Sequence, residues 1–276
     1  MNRQRLLTVA RTDLRILKQS PDFWVPMMIL AGFFFVIAPT FLLSVINAAE
    51  RTNAVERVAA AVDVLPERAK AAVREKADSP SDQTSYALSV YLFAPLAVIV
   101  PMTISTSVGA NTLVGEKERG TGEFLAHSPA SDREIYLGKL IASLLPGYLT
   151  TLVGFGIYSL IVNLIVGPRV GGWFFPTPEW WVLMLWVVPP FLALTLSVVL
   201  RLSARVKSSA AAQQASGLVT LPLIMVSYAQ SSGIVLGSAG SALALGVVAW
   251  GLAIAGLARG AQAVTRPRLL GVDGRL

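Results

Sequence analysis

The 276-residue chain contains no cysteine. Disulfides, thiolate metal sites and thiol nucleophiles are therefore excluded. A single histidine, His127, cannot build a histidine-rich metal centre. Charge is scarce as well. Only 14% of residues are Asp, Glu, Lys or Arg, against roughly 25% in soluble domains. Five long stretches contain none of the four, which excludes a soluble enzyme built around one conventional core. The formal net charge of +7 needs no nucleic acid to explain it. In a membrane protein, basic residues anchor the chain at the cytoplasmic leaflet.

What remains is a set of apolar runs. An α-helix rises 1.5 Å per residue, so roughly 20 residues cross a hydrocarbon core of about 30 Å. Phe23–Ile46, Tyr86–Val114, Leu140–Pro168 and Trp180–Leu200 each satisfy that length without a charge. The fifth uncharged stretch, Ser208–Ala258, is too long for one crossing. Gly233, Gly237, Ser238 and Gly240 divide it into spans over 217–235 and 239–258. The fold class expected is an all-α polytopic membrane protein with six spans (23–46, 86–114, 140–168, 180–200, 217–235 and 239–258). The first run is too long for a signal-peptide core and is not followed by a small-residue cleavage site, so it reads as an anchor. Six spans place both termini on one side. Segments on that side hold 16 Lys and Arg, and the alternate segments hold 7. The positive-inside bias then predicts N-in, C-in.

The connecting segments have their own patterns. In residues 1–22, Leu6, Leu7, Ala10, Leu14 and Leu17 share an arc at 100° per residue, with Arg11, Arg15 and Lys18 beside it. That pattern fits an amphipathic helix in the headgroup layer; a basic topology signal is the simpler alternative. Segment 47–85 should form two short helices around Pro66, followed by a loop over 78–85, outside the membrane. In 115–139, Glu116 to Arg119 continue the second span beyond the bilayer. Ser128-Pro129 marks a turn, and Ser131 with Glu134 has capping-box spacing for the next helix. Lys139 falls where that helix enters lipid. On this reading Glu116, Arg119 and Glu123 are exposed on one face, and their pairs contribute only about 0.2–1 kcal/mol to folding.

The stretch GEKERGTGEFLAHSPASDREIYLGKLIASLLP (115–146) resembles the cytoplasmic loop of the ABC-2-type permease family. That family carries an E-K-E-R-G-T run, a turn and an L-G-K helix start, here Glu116–Thr121 and Leu137-Gly138-Lys139. The Y-L-G-K-L layout with a later L-L-P is similar to white-type half transporters. The resemblance implies the membrane subunit of an ATP-binding cassette exporter of the type V fold, multi-pass in a prokaryotic plasma membrane. Its implied partners are two copies of an ATP-binding subunit, a second permease copy or paralogue, and membrane lipid, with no nucleic acid. ATP and Mg would sit on the ATPase, and this chain would carry no cofactor, metal or catalytic residue. Segments 1–20, 115–136 and 201–215 would face the ATPase, with Glu116, Lys117, Glu118, Arg119, Glu123, Phe124 and Arg133 in the coupling helix between spans two and three. One departure is the short 231–240 turn, where the family has a larger re-entrant element before span six.

Inside the spans, Thr103, Ser107, Asn111, Asn163, Tyr228 and Gln230 are candidates for a translocation path; hydrogen bonding between helices is the alternative. A passive channel or membrane scaffold is the competing function, although it leaves the protruding charged loop without a purpose. Membrane enzymes usually need Asp, Glu or His constellations that the expected spans lack. The phosphate-cradling pattern G-x-x-x-x-G-K-S/T is also missing: the one candidate, Lys207-Ser208, follows Val206 rather than glycine. The purified chain alone is therefore expected to release no phosphate from ATP above a protein-free micelle blank. Hydrolysis that persists through purification to homogeneity would contradict this.

Overall fold

The computed structural model describes residues 2–48, 65–118, 120–121, 125, 127–206, 208, 210–215, 217–218, 221 and 239–263. Among them are helices and no strand. Helix α1 (Arg3–Gln19) leads into α2 (Pro21–Ala48). Helix α3 (Glu67–Lys76) precedes α4 (Pro80–Ala87), which continues as a π-turn over Leu88–Leu92. Helices α5 (Leu96–Glu118), α6 (Asp132–Ile165), α7 (Pro178–Ser203) and α8 (Ala239–Ala263) follow. Among the described residues, five segments are long and apolar enough to span a membrane: Pro21–Ala48, Pro80–Glu116, Asp132–Arg169, Pro178–Ser203 and Ala242–Gln262. The span expected over 217–235 lies outside the described residues apart from positions 217, 218 and 221.

One helix start differs from the sequence-based expectation and another follows it. Residues 80–87 are helical rather than a loop, because local chemistry starts a helix there. Ser79 Oγ accepts from the Asp82 N–H at 3.1 Å and Pro80 occupies the first turn, where its missing N–H costs nothing. The second span therefore begins at Pro80. As the Ser131–Glu134 spacing predicts, helix α6 begins at Asp132, eight residues before the apolar run it contains, and the capping box forms in both directions.

Three spans carry π-turns, at Phe33–Ile37, Leu88–Leu92 and Leu183–Val187. Each lies just before a proline: Pro39, Pro95 and Pro189. A proline removes one i→i−4 bond and its ring crowds the carbonyl four residues back, so widening the preceding turn is one way to accommodate it. By contrast Pro101 and Pro146 sit inside α5 and α6.

The second span is the most enclosed of the five. Helix α6 lies along α5, and Gly147 sets their spacing. A Cβ there would stand 2.6 Å from the Pro101 carbonyl oxygen and closer still to Ser105 Oγ. At the end of the bundle remote from α1, Asn163 binds the loop after α6. Its Oδ1 accepts from the Phe174 and Phe175 N–H groups at 2.9 and 3.0 Å, and its Nδ2 donates to the Phe175 and Ser159 carbonyls. Beside it, Trp180 stacks on Phe155, with Tyr158 and Phe175 edge-on to one another. The Tyr158 hydroxyl donates to the Ser89 carbonyl at 2.7 Å, tying this cluster to the second span. Replacing Gly147 with Leu must push α5 and α6 apart. Overpacking of this kind costs about 1–3 kcal/mol. Thermal unfolding in detergent should show a lower midpoint, while Gly156→Leu, in open space, should leave it nearly unchanged.

Candidate functional site

At the α1 end, three segments meet around one cation. Lys139 lies on the first turns of α6 with its side chain 1% exposed. Its Nζ donates to Glu116 Oε1 at 2.8 Å, Asp13 Oδ2 at 3.2 Å and the Thr112 carbonyl at 3.3 Å. An ammonium has three N–H donors, and each finds an acceptor. Asp13 belongs to α1, and Glu116 and Thr112 to the end of α5. One side chain thus joins three elements.

Helix α1 is amphipathic as the pattern requires, but the face it buries is displaced from the expected arc. Leu6, Val9, Ala10, Asp13, Leu14 and Leu17 are buried or half-buried, whereas Leu7 is exposed. These positions follow i, i+3, i+4, i+7 spacing, with Asp13 in the middle of the apolar set. The face packs on α6 rather than on solvent. Gly138 makes that approach possible, since a Cβ there would stand 2.8 Å from Val9 Cβ and 3.0 Å from the Leu6 carbonyl. Two polar contacts fix the N-terminus of α1. The Asn2 N–H donates to Glu134 Oε1, whose other oxygen accepts from the Ser131 N–H at 2.9 Å. Arg5 Nη1 donates to the Pro129 carbonyl at 2.7 Å, on the turn that reverses the chain.

One expectation is corrected here. Glu116 is not an exposed surface group: its side chain is 13% exposed and bonded to a buried lysine. Lys139, just ahead of the apolar run as expected, turns its side chain into the protein. The reason is the early start of α6, which carries Lys139 alongside Glu116 and Asp13 before the helix enters the apolar region. Among the other candidates, Glu118 and Arg133 are exposed. Lys117 is on α5, and nothing is described of its side chain. Arg119, Glu123 and Phe124 lie outside the described residues, as do Tyr228 and Gln230.

The remaining polar candidates divide between the two ends. Thr103, Ser107 and Asn111 form an i, i+4, i+8 stripe on α5 that is exposed or half-buried on a helix otherwise nearly enclosed. Thr103 and Asn111 bond the carbonyls of Ile99 and Ser107 within their own helix. Asn111 also lines a cavity of about 50 Å³ with Asp13, Thr112 and Glu116, so this stripe runs down to the lysine clasp. Asn163 is not brought to it, since its amide is engaged in the loop at the opposite end. The chain after α7 also gathers at the clasp end. Val206 and Ala212 pack with Ala110, Val114 and Val199, and Ser203 Oγ donates to the Ala110 carbonyl at 2.7 Å.

Asp13, Glu134 and Lys139 were not singled out as site residues from sequence. Their signals were a lone acid in the apolar register of α1 and a lone lysine just ahead of an apolar run. Removing one partner of a fully buried pair costs about 3–5 kcal/mol. Here the carboxylates retain some water contact, so Glu116→Ala is expected to cost about 2–3 kcal/mol. Lys139→Met, which leaves Asp13 and Glu116 facing each other, should destabilise more than Asp13→Asn. Unfolding midpoints of the three variants in one detergent check that order.

The comparisons with known proteins agree with this architecture. Residues 42–244, well over half of the chain, match the family model described as ABC-2 family transporter protein. No curated protein matches the chain. With five membrane-length helices and that match, the chain belongs to the ABC-2 family of transporter membrane proteins.

Proposed function

We propose that the chain is the permease subunit of an ATP-binding cassette exporter, coupling ATP hydrolysis on a separate ATPase subunit to translocation of a substrate. The observation that carries this is the Lys139 clasp, which makes α1, the end of α5 and the start of α6 one mechanical body. A push on the charged turn between α5 and α6, or on α1, then moves the second span directly. The protruding residues Glu118 and Arg133, with Lys117, Arg119, Glu123 and Phe124 from the same segment, are the ATPase-facing surface in this reading. ATP and Mg stay on the ATPase, of which two copies serve two permease chains, identical or paralogous.

The exposed stripe of Thr103, Ser107 and Asn111 supports a path between two permeases. Polar groups facing lipid are costly, and a second copy with its own stripe would cover them around a polar lumen. Tyr228 and Gln230 would contribute from the fifth span. With N-in, C-in orientation in a prokaryotic plasma membrane, the clasp lies on the cytoplasmic side and helix α3 outside. Cysteines introduced as Asp78→Cys and Ser208→Cys into this cysteine-free chain should then react with an impermeant reagent from opposite sides. Labelling of both from outside would overturn the orientation.

Coupling is tested with exposed residues, so that folding is not confounded. Glu118→Ala and Arg133→Ala should leave the unfolding midpoint unchanged. Transport per ATP hydrolysed, measured in vesicles holding the whole complex, should fall about five- to 150-fold, the usual size of a coupling energy of about 1–3 kcal/mol. An unchanged ratio in both variants would make the turn a charged hairpin with no mechanical part.

A further inference from the structure

At the end of the bundle remote from the clasp, α3, α4 with its π-turn, and the start of α7 enclose a cavity of about 240 Å³. Its functional lining comprises Arg68, Tyr86, Tyr91, Thr177, Glu179 and Trp180. Tyr86 and Tyr91 are buried side chains whose hydroxyls open onto the cavity. Thr177 Oγ1 is buried and unpartnered. It stands at the N-cap of α7 yet makes no cap bond, although a threonine there commonly does. Glu179 is half-buried, Arg68 is exposed at the mouth, and neither has an ion-pair partner among the described residues. Trp180 donates its indole N–H to the Val90 carbonyl at 2.9 Å, leaving only ring surface for the cavity.

Buried polar groups are normally satisfied. Here Thr177 Oγ1 is buried without a partner, and two tyrosine hydroxyls and a half-buried carboxylate open onto the same space, so the space suits something that satisfies all four. All four can accept hydrogen bonds, the carboxylate is anionic, and the walls are aromatic. A group with several N–H donors and a positive charge matches each of these features. Arg68 at the mouth supplies the opposite charge. We propose that this cavity binds a zwitterion by its primary ammonium group, with Glu179 and the hydroxyls of Tyr86, Tyr91 and Thr177 around the ammonium and Arg68 on the attached anionic group. Exposed Trp173 and Trp181 lie on the adjoining loop and helix. Tryptophan favours the membrane–water interface, so both a phospholipid amine headgroup and a soluble amino-phosphate can reach the cavity.

The test uses the full chain in detergent, stripped of lipid, titrated calorimetrically with phosphoethanolamine, ethanolamine and inorganic phosphate. Phosphoethanolamine should bind most tightly and ethanolamine more weakly, and phosphate should not bind. Glu179→Gln should weaken both amines at least about tenfold, the scale of a lost charge-assisted hydrogen bond. Arg68→Gln, at an exposed position, should remove only the advantage of phosphoethanolamine over ethanolamine. Nanodiscs separate the two sources. If the lipid headgroup is the occupant, phosphatidylethanolamine discs block phosphoethanolamine and phosphatidylglycerol discs do not; equal binding in both identifies a soluble zwitterion. Failure of both amines to bind, binding of phosphate as tight as that of phosphoethanolamine, or undiminished binding to a folded Glu179→Gln protein overturns the proposal.

Discussion

A buried ammonium dictates the arrangement of one end of this molecule. Lys139 has almost no contact with solvent, and an unpaired charge in such a place is prohibitively costly. Its three acceptors come from α1 and the end of α5. The helix carrying the lysine, the last turns of the second span and the N-terminal helix therefore have to meet. Gly138, one residue earlier, removes the side chain that would otherwise hold α1 away. The Ser131–Glu134 cap and its bond to Asn2 extend the same junction by two turns. Moving any of these three segments independently would expose or strand the cation, which gives the junction its mechanical unity.

The opposite end solves the problem of polar groups near an apolar core without charge. Asn163 saturates both halves of its amide on backbone groups, three of its bonds going to the Phe174–Phe175 loop and one to the Ser159 carbonyl of its own helix. That loop then holds Phe175 against Trp180 and Tyr158. Amide bonds are directional and carry no net charge, so this end is pinned locally, whereas the clasp ties distant segments together. The second span runs between the two ends and touches both, through Ser89 above and Thr112 and Glu116 below. Its exposed polar stripe is consequently held by fixed points at each end.

Much of the fold was legible in the sequence, because a membrane span is a local property. The length of an uncharged run and the chemistry at its ends are read without knowing what the run packs against. The capping box at Ser131, the amphipathic pattern of residues 3–19 and the four well-separated spans belong to this class. The early start at Pro80 was also local, but hydropathy does not report it. Helices begin where their first N–H groups find acceptors, and at Ser79 and Ser131 that happens well before the chain becomes apolar.

The sequence by itself determined that this is a helical membrane chain with a charged turn between its second and third spans, since run lengths, charges and caps act within a few residues. The partners of its polar groups were decided only by the tertiary structure. Asp13, Glu116 and Lys139 are separated by 23 to 126 residues, and nothing in their local spacing couples them. Exposed on isolated helices, Glu116 and Lys139 would be ordinary surface charges. They became a buried clasp because packing of α1 on α6 withdrew water from the lysine and left carboxylates and a carbonyl as its only acceptors.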